Sequence, residues 1–203
     1  MPEPGPFQIG PGRVSVPPMM DQVVFDTLLL AFDSGAVPMP ETGTILVLNA
    51  EPGPWLAQLP KDRVVCRTTL KPSHEALKAA GYTVLDVDSV DLPIAALTIV
   101  VPPRQRDQAR ALFARAVLAA PEGTYVIASL PNTLGGKTGE KLLGEIAGET
   151  GSLSKHKCRA FWTRKDAAAI DTDLAEDWIA EDAVREIEPG LFSRPGLFSW
   201  DRV

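Results

Sequence analysis

Five short apolar runs constrain this chain more than anything else in it: "TILVLN" (44–49), "RVVCRT" (63–68), "YTVLDV" (82–87), "ALTIVV" (96–101) and "TYVIAS" (124–129). Each is too short for a helix and is bounded by turn residues, as expected for a strand buried on both faces. Helical patterns lie between several of them. "SHEALKAAG" offers Ser73 as a cap and Gly81 as a stop, and "RDQARALFARAVLAA" places Ala109, Leu112, Phe113, Ala116, Val117 and Ala120 on one face at the 3.6-residue period. Strands alternating with helices predict a doubly wound α/β fold around a mostly parallel sheet. Ahead of the first strand, "DQVVFDTLLLAF" reads as a helix capped by Asp21. After the helix containing Leu142, Leu143 and Ile146, "KHKCRAFWTR" would add a closing strand, parallel or antiparallel to its neighbour.

A hydrophobic content of 45% in 203 residues suffices for one well-buried core. No apolar window reaches the ~18 residues of a membrane span, and the start "MPEPGPFQIGPGRV" lacks the layout of a signal peptide. Cys66 and Cys158 are the only cysteines; far apart and without a C-x-x-C or a His cluster, they read as buried thiols of a cytoplasmic protein and imply no metal site. The net charge of −6 is concentrated at one end: residues 166–203 hold 10 acidic and 3 basic side chains. The rest is nearly neutral and can still carry a local basic face. Within "SLSKHKCRAFWTRK", Lys155, Lys157 and Arg159 alternate as they would on one side of a strand. The plainer alternative is a solvated edge.

"ASLPNTLGGKTGEK" (128–141) poses a separate question, because a glycine-rich turn between strand and helix, ending in Gly136-Lys137-Thr138, is the layout of a phosphate-binding loop. The first glycine of that pattern falls on Pro131, which has a fixed φ and no N–H. A strand-to-helix turn shaped by Gly135, Gly136 and Gly139 is the simpler account.

The order of elements resembles the Rossmann-like fold of S-adenosylmethionine-dependent methyltransferases, with that family's three motif positions altered. The glycine loop after the first strand is "NAEPGPW", with Asn49, Glu51 and Trp55 where an Asp and two glycines would stand and only Gly53 kept. The acid that would hold the ribose is replaced by Cys66-Arg67-Thr68. In place of Asn-Pro-Pro-Phe/Tyr stands Val101-Pro102-Pro103-Arg104. A degenerate copy of this kind is similar to the N-terminal half of the ribosomal RNA small subunit methyltransferase C family. "NTLGGKTGEKLLGEIAGETG", leading into "KHKCRAFWTRK", and the tail "PGLFSRPGL" carry that resemblance.

The resemblance implies a full-length rRNA (guanine-N2) methyltransferase using S-adenosylmethionine. Residues 1–18 would be an irregular arm, 19–165 a degenerate methyltransferase-like domain, and 166–203 an acidic linker leading to a C-terminal catalytic domain beyond Val203. A short amphipathic helix is expected around 174–187. The present chain would itself bind no cofactor and hold no catalytic residue. It would support the catalytic domain and position small-subunit rRNA through Lys137, Lys141, Lys155, Lys157 and Arg159. Phe192, Ser193 and Arg194 would lie at the interdomain contact. Two alternatives stay open: a purely structural domain that docks the catalytic copy without touching RNA, and a nucleotide-binding protein using Gly136-Lys137-Thr138.

Overall fold

The apolar runs pair side by side. In the computed structural model, which describes residues 18–86 and 91–187, they form β1 (Ile45–Leu48), β2 (Val64–Arg67), β3 (Thr83–Val84), β4 (Leu97–Val100) and β5 (Tyr125–Pro131). All five are parallel, and β1 and β4 are buried at every residue, as continuous apolar strands require. The C-terminal part adds β6 (Gly151–Lys155) and β7 (Cys158–Arg164). The sheet order is β3-β2-β1-β4-β5-β7-β6, and β7 runs antiparallel to both of its neighbours. The expected closing strand is therefore half of a hairpin.

Five helices accompany the sheet: α1 (Gln22–Asp33), α2 (Lys71–Ala79), α3 (Arg106–Ala119), α4 (Gly136–Ala147) and α5 (Thr172–Ile187). Asp21 caps α1 as expected, its Oδ1 accepting from Val24 N at 2.9 Å. Helix α2 starts earlier than its sequence suggests, at Lys71 with Pro72 in the first turn, so Ser73 is helical and is not the cap. The β1-to-β2 connection carries only 3₁₀ turns, Pro54–Gln58 and Lys61–Arg63.

The boundary expected at residue 165 does not separate a body from a linker. Asp171 N donates to Ile146 O, and Ala175 and Trp178 of α5 are buried in the same core as the sheet. Helix α3 is consequently buried beyond its predicted stripe, at Ala111 and Ala114 as well. The acidity of this stretch is matched across that contact: Arg110 meets Glu181 at 2.9 Å and Arg115 meets Asp182 at 3.6 Å. Cys66 and Cys158 are buried free thiols. Among the described residues no helix is long and apolar enough to cross a membrane. The arm before residue 18 and the tail with Phe192, Ser193 and Arg194 lie outside the described residues.

Candidate functional site

Ligands of doubly wound folds bind at the carboxyl edge of the parallel strands, where the loops after β1 and β4 face each other. Here the two loops are tied together. Asn49 takes a left-handed backbone (φ 56°), which Asn tolerates, and its Nδ2 donates to Val101 O at 2.9 Å. Glu51 turns its carboxylate onto the chain entering α1: Oε2 accepts from Met19 N at 2.8 Å and Met20 N at 3.1 Å. Burial pushes the Glu51 carboxyl above its ordinary range, partly offset by those two N–H groups and by the Arg104 guanidinium. Arg104 follows the two prolines that survive after β4, so the remnants of both motifs sense each other.

Trp55 is 1% exposed and packs on Phe25 with ring centroids 5.2 Å apart. Gly53 is extended at φ −179° and needs no special backbone. A Cβ there would lie 2.7 Å from Trp55 Cδ1, so the surviving glycine admits the indole. At the end of β2, Thr68 is buried and its Oγ1 accepts from Leu70 N at 3.4 Å; no acid stands there for a ribose. The loop after β1 thus presents a half-buried carboxylate and a buried indole at the positions where the resemblance would place glycines. Beside the loop, an open depression of about 390 Å³ is bordered by Gly53, Ala57, Leu77 and Tyr82, with Lys61 Nζ 5.1 Å from the Tyr82 ring centre.

The glycine-rich turn also has a packing explanation. Gly135 adopts φ 96° and Gly136 opens α4. A Cβ on Gly136 would meet Arg159 Cβ at 3.0 Å, and one on Gly139 would meet Phe161 Cζ at 2.7 Å, so both glycines let α4 press onto β7. Helix–strand contact therefore accounts for Gly136 and Gly139 without a phosphate. Burial raises both thiols, Cys66 to about 12 and Cys158 with help from Asp21, which makes them poor nucleophiles. Among the described residues no His, Cys, Asp and Glu group could hold a metal.

The five basic residues meet different fates. Lys155, Lys157 and Arg159 do not share one strand face: Lys155 ends β6, Lys157 lies in the hairpin loop and Arg159 belongs to β7. Arg159 is turned inward, with Nη1 2.7 Å from Glu140 Oε2 and 2.8 Å from Ser152 Oγ. Lys141 lies 3.8 Å from Glu145 one turn along α4. Lys137, Lys155 and Lys157 are exposed, and Asn132 N donates to Lys157 O at 2.8 Å, which fastens the hairpin loop to the turn preceding α4. His156, beside Lys157, belongs to the same tip and carries no sequence signal of its own, since such loops usually advertise themselves with Asn-Gly.

No family model matches this chain, and no curated protein matches it by sequence. Solved structures do match by fold. The T. thermophilus 16S rRNA N2 G1207 methyltransferase (RsmC), in complex with AdoMet and guanosine, is similar with a TM-score of 0.57 at 16% identity, over 72% of this chain and 39% of that one. The ribosomal protein L11 methylase of Lactobacillus delbrueckii subsp. bulgaricus is similar with a TM-score of 0.53 at 13% identity, over 70% of this chain and 79% of that one. N-methyltransferase NodS of Bradyrhizobium japonicum WM9, with S-adenosyl-L-homocysteine, has a TM-score of 0.51 at 16% identity, over 70% and 85%. The chain thus spans well under half the length of the rRNA enzyme it matches. The likeness is one of fold: an α/β Rossmann-like methyltransferase fold on a seven-stranded, mostly parallel sheet.

Proposed function

We propose that this methyltransferase fold serves as the non-catalytic N-terminal domain of a cytoplasmic, S-adenosylmethionine-dependent rRNA (guanine-N2) methyltransferase. It supports a C-terminal catalytic copy of the fold and positions small-subunit rRNA beside it. The observation that carries the proposal is the loop after β1. The sheet is intact, yet the loop after β1 carries Glu51, bound to the Met19 and Met20 N–H groups, and the buried Trp55 indole where the resemblance would place glycines. A fold preserved while its cofactor loop is filled suits support and positioning better than transfer chemistry. RNA contact would fall to Lys137, Lys155 and Lys157, because Arg159 and Lys141 are engaged with glutamates.

Two titrations test this. Calorimetry with S-adenosylmethionine should show no stoichiometric binding, and micromolar affinity would sink the non-catalytic role. A small-subunit rRNA fragment should bind with affinity that falls with salt. Three phosphate contacts on a single strand imply a roughly 20-fold loss between about 50 and 200 mM. The Arg159–Glu140 and Lys141–Glu145 pairs, which engage two of the five cations, favour a second role, a docking domain that never touches RNA, and salt-independent or absent RNA binding would overturn RNA positioning in its favour.

A further inference from the structure

The β6–β7 hairpin closes on the pair Lys155 and Cys158, leaving His156 and Lys157 as a two-residue loop. Both have left-handed backbones, φ 51° and 60°. A two-residue turn of type I′ demands that conformation at both central positions, and Asn-Gly meets it with little strain. A His-Lys pair meets it at a cost in stability, and non-glycine strain held at an exposed tip points to use of the side chains.

The tip does not stand alone. Asn132 N donates to Lys157 O, so the strained loop is held against the 3₁₀ turn Asn132–Leu134, and α4 begins two residues later. This places His156, Lys155 and Lys157 on the same carboxyl edge as Lys137 and as Leu134, a large apolar side chain left 39% exposed. None of the three lysines has an ion-pair partner among the described residues. At the base of the hairpin, Asp21, which acts on Cys158, caps α1, and Glu140 holds Arg159. The result is one edge that carries three exposed lysines, an exposed imidazole and an exposed leucine. Its shape and chemistry suit an unpaired strand, whose phosphates meet the lysines while a splayed base stacks on the imidazole; a duplex keeps its bases inside and offers no ring.

We propose that the His156-Lys157 tip, with Lys155, Lys137 and Leu134 around it, is a single-stranded RNA contact in which His156 stacks on a base and the lysines take phosphates. This rests on the RNA-positioning role above and makes it specific. The test measures anisotropy of the whole chain with a labelled single strand of about 12 nucleotides and with its duplex, across salt. The wild type should prefer the single strand. Lys157→Gly should reduce the slope of log affinity against log salt by about 0.7. His156→Asn should weaken binding roughly fivefold or more and leave that slope unchanged.

The double variant His156→Asn/Lys157→Gly installs the ideal turn, so its melting temperature should rise by about 2–4 °C while RNA affinity falls, which separates lost contact from lost folding. A wild type that prefers the duplex, or a double variant that binds as the wild type does, overturns the proposal and leaves RNA positioning standing. A wild type that binds neither RNA overturns both.

Discussion

At Glu51 a charge has been placed where a glycine would let a ligand approach, and the protein bears a cost for it. Burial raises the carboxyl's pKa, so the folded state holds this proton more tightly than the unfolded chain does. Linkage fixes the sign. The stabilisation from this group is present at acid pH and is lost as pH rises through the raised titration range, from the ordinary 4.5 upward. Glu51→Gln keeps an acceptor for the Met19 and Met20 N–H groups without the charge. Its melting temperature relative to wild type should therefore climb as pH is raised from about 4 to 7. Thermal melts across that range check it, and a difference that is flat or falls with pH would show that the two N–H bonds and Arg104 outweigh burial. That Glu51 departs from the glycine pattern of the resembling family was visible in the sequence. That it fastens the start of α1, 32 residues earlier, was not.

Helix α4 makes the same substitution act in opposite directions. Gly139 and Gly144 are both helical, and Ala is the better helix former by about 1 kcal/mol. A Cβ at Gly144 meets only Thr150, at an ordinary 3.6 Å to Cγ2 and 3.9 Å to Oγ1, so Gly144→Ala should stabilise by up to about 1 kcal/mol. At Gly139 it would strike Phe161 Cζ at 2.7 Å and Leu130 Cδ1 at 3.1 Å. Phe161 cannot retreat, being fully buried and edge-on to Phe113 with centroids 5.8 Å apart. Gly139→Ala should therefore destabilise by about 1–3 kcal/mol despite the gain in propensity. Denaturant melts of the two variants decide the matter, and equal signs would mean that α4 is not pressed onto β7 as described. The sequence shows two glycines in one helix and cannot rank them, because what separates them lies on another strand.

For the whole molecule, the question is where the folded unit ends. Composition suggests a boundary near 165, since acidic residues dominate beyond it, yet Trp178 is 4% exposed and lies under the Arg110 guanidinium at 5.4 Å. Trp178→Ala should cost about 3–5 kcal/mol, as for other large aromatic truncations in cores. A melting temperature lowered by roughly 6–20 °C would follow. A melt unchanged by this substitution would return α5 to the status of a linker.

Local pattern determined the sheet. The continuous apolar runs of β1 and β4 could be buried only with strands on either side and helices over the sheet, whereas the run at 82–87 gives only the short, partly exposed edge strand β3; the Asp21 cap was likewise set by neighbours in sequence. The altered cofactor motifs were equally legible, being departures at fixed spacings within single loops. Tertiary structure alone decided the rest. Arg159 turns to Glu140, 19 residues away, and Arg110 reaches Glu181 across 71 residues. The His156-Lys157 turn exists only because β6 pairs with β7. Periodicity reports which face of an element is apolar; it carries no information about which distant side chain will meet a given charge. The basic residues were therefore found by inspection of the chain, while their division into structural and available ones was settled by the partners that folding brought to them.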